Sequence, residues 1–266
     1  MRPKKSLGQH FLRCNWVAST LVKAADLKYK DTVLEIGPGT GTLTRELAKH
    51  VGRVIAVEKD EILAENLQHS LANEGIKNVK VITADILKLL ATENFSYKLQ
   101  ATSYKLVANI PYYLTSRLLR LLLEEGPRPE LIVLTIQKEV AQRIVARPPE
   151  MNLLALSVQT FGRPEVIKAV PASCFWPKPK VDSAIIKISE ISDGFFQKNS
   201  VDKKLFFEIT RRAFSQKRKM LASSLRPYFS QHSVLTKIGL PEKARPQELS
   251  PQQWAKIVFT IEAKPL

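Results

Sequence analysis

Apolar residues follow two alternating rhythms along the first two-thirds of this 266-residue chain. Short continuous runs, Thr32 to Ile36, Arg53 to Val57, Val79 to Thr83, Leu106 to Ala108 and Leu131 to Ile136, have the length and β-branched content of buried strands. Between them lie stretches of helical spacing: Val17 to Leu27, Thr42 to Ala48, Glu61 to Ala72, Thr115 to Glu125 and Lys138 to Arg147. Leu87 to Tyr104 reads as a helix and then a loop. Strand and helix in turn predict an α/β fold, a mostly parallel sheet with right-handed crossovers. Asn152 to Phe161 fits either period, and a length of ten residues favours helix. Glu165 to Val170 and Asp182 to Ile188 read as a pair of strands. From Ser189 to Val201 the composition shifts to Ser, Asp, Gly and Asn, which predicts a linker and two domains, 1–190 and 191–266. Beyond it the chain turns helical: Phe206, Phe207, Ile209, Phe214 and Leu221 share one helix face, and further helices are expected around Ser233 to Ile238 and Pro251 to Thr260.

Charge alters this picture more than composition does. A hydrophobic content of 44% suffices for a core, but the formal charge is +16 and the pI about 9.8. Such an excess of Lys and Arg implies a polyanionic partner, nucleic acid before membrane. The final quarter, from Lys198, holds 14 Lys and Arg against 5 acids, a net of +9. Neither a run long enough to span a bilayer nor a signal peptide is present, so a cytoplasmic protein with no membrane association is expected. Cys14 and Cys174 have no metal spacing and read as two reduced thiols, and the four histidines show no ligand pattern. No metal site is expected.

Candidate chemistry gathers where the strands end. The first strand runs into Gly37-Pro38-Gly39-Thr40-Gly41 and then a helix, a turn that lets backbone N–H groups approach a ligand closely. Its Gly-x-Gly-x-Gly spacing is not the dinucleotide Gly-x-Gly-x-x-Gly, which disfavours a nicotinamide dehydrogenase. The second strand ends in Glu58, followed by Lys59; a carboxylate there can accept both hydroxyls of a ribose. The third ends in Asp85-Ile86, where Asp85 could accept from an adenine amine but by itself is more simply a helix N-cap. The fourth stops at Asn109-Ile110-Pro111-Tyr112. Asn109 offers a neutral carbonyl, Pro111 biases Ile110 toward an extended conformation with its carbonyl outward, and Tyr112 offers a ring face. Two acceptors and a stacking surface suit a planar amine, although the tetrapeptide taken singly is equally a strand-terminating turn.

Together these residues resemble a known family. Glu35 to Gly41, Val57-Glu58, Ala84-Asp85 and Asn109 to Tyr112 are similar to the S-adenosylmethionine sites of Rossmann-like class I methyltransferases acting on exocyclic amines. Lys5-Ser6-Leu7-Gly8-Gln9-His10-Phe11-Leu12, Phe175 to Ser183, Gln137 to Ala141 and Arg212 to Lys219 narrow the resemblance to the rRNA adenine N6-dimethyltransferases, over nearly the whole chain. The resemblance implies a mostly parallel sheet with its last strand reversed and a small all-helical C-terminal domain. It implies S-adenosyl-L-methionine as cofactor, held by Gln9, His10, Leu12, Gly37, Gly39, Gly41, Glu58, Lys59, Asp85, Ile86 and Asn109. The target base would lie between Tyr112 and Phe175, its amine on Asn109 and Ile110. The substrate implied is two adjacent adenosines in the 3′-terminal hairpin of 16S rRNA within an immature 30S subunit, with a monomeric enzyme. Alternatives are a 23S rRNA dimethyltransferase of the macrolide-resistance type and an RNA-binding 30S assembly factor with secondary catalysis.

Within Cys174-Phe175-Trp176-Pro177-Lys178-Pro179-Lys180, two prolines hold the backbone extended, so that the rings project while Lys178 and Lys180 face a phosphate backbone. The competing expectation is that Phe175 and Trp176 anchor the turn in the core. Further RNA contacts are expected from Lys4 and Lys5 at the tip and from Arg211, Arg212, Lys217, Arg218 and Lys219 in the basic helix.

Overall fold

The computed structural model of the chain describes residues 3–4, 7–92, 103–216, 219–228, 235–236 and 238–263. Nine strands are present among them: β1 (Phe11–Leu12), β2 (Thr32–Ile36), β3 (Arg53–Glu58), β4 (Val79–Thr83), β5 (Lys105–Asn109), β6 (Leu131–Gln137), β7 (Arg163–Val170), β8 (Phe175–Trp176) and β9 (Ser183–Ser189). Seven form one sheet in the order β4-β3-β2-β5-β6-β9-β7. β4, β3, β2, β5 and β6 run parallel, and β9 is antiparallel to both β6 and β7. The last strand is thus reversed, as the resemblance implies.

The sheet forms where it does because its central strands are apolar on both faces. Val33, Leu34, Val54, Ile55, Leu106, Val107, Ile132 and Val133 are fully buried, as strands covered by helices on both sides must be. Helix Asn15–Ala25 leads into β2, the helices Thr42–Ala48 and Glu61–Asn73 make the crossovers from β2 to β3 and from β3 to β4, and each buries one apolar stripe, such as Leu63, Ala64, Leu67 and Leu71 of the third. β7 lies at the edge, which accommodates Pro164 and a register shift between Val166 and Lys168. Thr115 to Glu125, expected as a plain helix, winds as α-helix Thr115–Arg120 and then a π-helical turn Leu121–Glu125. The expected helix then loop over Leu87 to Tyr104 begins as Ile86–Leu90, and most of the remainder lies outside the described residues.

The chain divides into two compact units, Met1–Ala141 with Arg163–Ile191, and Gln142–Gly162 with Ser192–Leu266. The division is not the single cut expected at 190/191, because 142–162 cluster with the second unit. The physical reason is aromatic: the Phe161 ring packs against Phe196 and Phe207 at centroid distances of 5.2 and 5.8 Å. Within this unit the described helices are Leu153–Gln159, Gly194–Asn199, Lys203–Ser215, Leu221–Ser224 and Pro251–Glu262. Asn152 to Phe161 is therefore helix. The supposed linker contains the helix Gly194–Asn199, because Phe195 and Phe196 carry apolar surface into the Phe206 cluster. Of the helix expected around Ser233 to Ile238, residues 235 and 236 are helical, and 233, 234 and 237 lie outside the described residues.

A second, two-stranded ladder joins β1 to β8, with Leu12 opposite Phe175 and Phe11 opposite Trp176. It corrects the reading of the cysteines. Arg13 N donates to Cys174 O at 2.8 Å, and Cys14 and Cys174, 160 residues apart, form a disulfide across a Cα separation of 5.1 Å. Sequence spacing carries no trace of a pairing that depends on two remote strands meeting.

Candidate active site

In the sheet order the chain moves outward from β2 through β3 to β4 and then crosses to β5 on the other side of β2. Ligands of open α/β sheets sit at such a reversal, outside the carboxyl ends of the strands. A pocket of about 900 Å³, including its open mouth, lies there. Its wall is built from the leader Leu7–Leu12, the turn Gly37 to Thr40, the ends of β3 and β4, and Asn109 to Leu114. Among residues expected at a cofactor, Gln9, His10, Leu12, Gly37, Gly39, Glu58, Lys59, Ile86 and Asn109 line it.

The glycine turn is shaped by three left-handed residues, of which the first two line the pocket. Gly37 and Gly39 have φ of 66° and 56°, and a Cβ on Gly39 would sit 2.9 Å from the Phe11 ring. Gly37 N donates to Val57 O at 2.9 Å, and Gly39 N donates to Glu58 Oε2 at 3.1 Å. The other carboxylate oxygen of Glu58 accepts from Asp60 N at 2.9 Å. Burial nonetheless pushes the Glu58 carboxyl up, against these backbone donors. Glu35 is 1% exposed, and its Oε2 has no hydrogen-bond partner among the described residues. Burial pushes its carboxyl up to about 8, the nearby Glu58 adding to the effect and the Thr44 hydroxyl opposing it.

At the end of β5, Asn109 Nδ2 donates to the His10 main-chain carbonyl at 3.2 Å, which directs the amide oxygen away from the leader. Pro111, at φ −56° and ψ 133°, leads into one turn of 3-10 helix, Tyr112–Leu114. The Tyr112 hydroxyl shares a hydrogen bond of 2.7 Å with the fully buried Ser183 hydroxyl, and the His10 ring stacks on the tyrosine at 5.5 Å. His10 Nδ1 also lies 2.6 Å from Pro177 O. The leader is further held by Asp60, whose Oδ2 accepts from Gln9 Nε2 at 3.2 Å and pairs with Lys4 Nζ at 2.9 Å.

Three residues named from sequence stand apart from the pocket wall. Gly41 is the N-cap of Thr42–Ala48 at φ 81°, a left-handed backbone that by itself favours glycine, and a Cβ on it would also meet the Arg45 and Leu67 side chains at 2.4 Å. Asp85 caps Ile86–Leu90 by accepting from Leu87 N at 2.9 Å, and its other oxygen pairs with Lys59 at 2.9 Å. Phe175 is 2% exposed and belongs to the core cluster with Leu12, Leu21 and Ile185, whereas Trp176 is 41% exposed. Of the expected phosphate contacts, Lys178, Lys180 and Lys219 are exposed. Arg211 and Arg212 are exposed too but lie over the Phe207 and Tyr228 rings at 5.5 and 5.9 Å, and Lys4 is engaged by Asp60. Lys5, Lys217 and Arg218 lie outside the described residues.

Sequence reasoning passed over Asp60, Ser183 and the buried state of Glu35. Asp60 carries the faint signal of an acid just before a helix; Ser183 carries none, because its partner is 71 residues away. Among the described residues no cluster of His, Cys, Asp and Glu could hold a metal ion, and no helix is long and apolar enough to cross a membrane.

Residues 1–263 match the model of a family described as ribosomal RNA adenine dimethylase. The chain is 40% identical to a ribosomal RNA small subunit methyltransferase A of Dehalococcoides mccartyi, across 100% of its own length and 90% of the relative's. Among solved structures it is similar to a dimethyladenosine transferase from Plasmodium falciparum (25% identity, TM-score 0.79, covering 96% of this chain and 98% of the other). It is also similar to the 23S rRNA methyltransferase ErmE (25% identity, TM-score 0.73, covering 95% and 99%).

Proposed function

Because the chain belongs to the ribosomal RNA adenine dimethylase family, we propose that it transfers methyl groups from S-adenosyl-L-methionine to N6 of two adjacent adenosines in the 3′-terminal hairpin of 16S rRNA. The RNA is read within an immature 30S subunit by a monomeric protein. The residues at the switch point fit the donor. Gly37 and Gly39 leave a cradle that a Cβ would fill, Glu58 presents a buried carboxylate, and Glu35 offers an unpartnered oxygen on the same wall. Gln9, His10, Leu12, Lys59 and Ile86 complete that wall. When bound, S-adenosylmethionine supplies an electrophilic methyl group on a sulfonium centre.

The observation that carries this reading is the amide of Asn109. Its nitrogen is committed to the His10 carbonyl, so its oxygen is the atom left to accept from an incoming amine. The lone pair of an adenine amine is delocalised into the ring; acceptors that hold its hydrogens favour the pyramidal, nucleophilic form. Asn109 and the Ile110 carbonyl can do this without a strong base, because the nitrogen becomes cationic and acidic once methylated and then releases its proton to water. Catalysis here rests on positioning, in which orientation supplies most of the rate. Tyr112, braced by Ser183 from one side and His10 from another, holds the base.

Exposed lysines and the basic second unit supply the phosphate contacts, at a net charge that suits a polyanion. The test is to incubate the protein with labelled methyl donor and undermethylated 30S particles, 50S particles or free rRNA, and to map the modified nucleoside. Dimethyladenosine in the 30S RNA is expected. Label confined to 50S particles would transfer the assignment to the large subunit.

A further inference from the structure

The β1–β8 ladder sorts its four side chains by face. Leu12 and Phe175, directly opposite one another, both point into the core, and Phe11 and Trp176, the next pair, both point away from it. Phe11 forms part of the pocket wall, and its ring stacks against Trp176 at 6.3 Å and 27°. The indole therefore stands one ring beyond the pocket, backed by Phe11 on one side and 41% exposed. The chain that follows keeps this arrangement: Lys178 and Lys180 are exposed and Pro179 is buried between them. His10 Nδ1 pins Pro177 O at 2.6 Å, which holds the start of the segment against the leader.

We infer that Trp176 is an exposed aromatic platform of this loop, and that it stacks the base next to the extruded target adenosine while Lys178 and Lys180 contact the neighbouring phosphates. The inference rests on the proposed function and adds a binding subsite to it. An exposed indole backed by a second ring is a flat apolar surface beside cations, which suits a nucleobase on a phosphate backbone. Phe175 is packed in the core cluster, whereas Trp176 offers a face to solvent.

The test uses the full-length protein and an RNA hairpin carrying 2-aminopurine immediately beside the target adenosine. Wild type is expected to quench the probe on binding. Trp176→Ala should abolish the quenching and weaken hairpin binding roughly 5- to 100-fold, the range for one stacked base, and Trp176→Phe should retain most of both. Binding of S-adenosylmethionine, followed by calorimetry, should be the same in all three proteins. Trp176→Ala that binds the hairpin as tightly as wild type with equal quenching overturns the inference. Failure of the proposed function is read separately, as absence of methyl transfer by the wild type, because quenching and affinity are measured without turnover.

Discussion

Replacing Glu35 by glutamine should remove a pH dependence from the folding stability of the protein. The carboxyl is 1% exposed, its Oε2 has no partner, and Glu58 lies close by, so the folded state keeps its proton up to about pH 8 where an ordinary glutamate loses it near 4.5. The sign follows from proton counting. Between those two values the unfolded chain has released the proton and the folded one has not, so stability falls as pH rises, and the full loss is reached above about pH 8. At about 1.36 kcal/mol per unit between 4.5 and about 8, that loss is roughly 5 kcal/mol. Glutamine is neutral throughout and suffers none of it. With about 2 to 4 °C per kcal/mol for a chain of this size, the melting temperature of Glu35→Gln relative to wild type should climb by on the order of 10 °C from pH 5 to pH 9. Paired thermal melts in matched buffers give this difference directly, and the titrations of groups not coupled to Glu35 cancel in it. Melting curves that stay parallel across the range, or a gap that widens toward acid, would refute the reasoning.

Other perturbations probe separate parts of the molecule. Asn109→Ala removes one acceptor for the target amine and should lower kcat roughly 10- to 100-fold, on a hydrogen-bond difference of about 1.5 to 3 kcal/mol in the transition state, with the Kd for methyl donor measured alongside to separate binding from turnover. Ser183→Ala leaves the Tyr112 hydroxyl without its 2.7 Å partner and should destabilise by about 1 to 2 kcal/mol in denaturant titration. Phe175→Ala should cost about 3 to 5 kcal/mol of folding stability, a core cavity effect visible without any RNA present. Lys178→Ala with Lys180→Ala should reduce the slope of log affinity against log salt for RNA by about 2, leaving the binding of the methyl donor unaltered.

Much of the sheet was legible because its strands are continuous apolar runs closed by glycine, acid or Asn-Pro. β2 and β4 begin and end at the residues where those patterns do, Thr32–Ile36 and Val79–Thr83. Convergence of Gly37, Glu58 and Asn109 on one pocket followed from topology: parallel strands deliver their carboxyl ends to one edge. What could not be read were consequences of pairings between distant segments. Opposite faces for Phe175 and Trp176 require a partner strand, and that strand is two residues of a leader more than 160 positions upstream. The disulfide depends on the same encounter. Residues 142–162 read like a continuation of the first domain, since local periodicity is silent about which aromatic cluster Phe161 will join. For Asp85 and Gly41, an N-cap hydrogen bond and a left-handed backbone turn account for the residues where they stand.

The hook that orients Asn109 is a peptide oxygen, and this has a practical bearing on mutagenesis. Exchanging the imidazole at position 10 for any other side chain strips the ring from Tyr112 and from Pro177, yet the carbonyl that receives the amide hydrogen survives every such exchange. A saturation scan of the leader would therefore score position 10 only for its ring. Exposing the hook itself takes backbone chemistry: an ester in place of the His10–Phe11 peptide bond, whose carbonyl is a poorer acceptor, or excision of the leader as a whole.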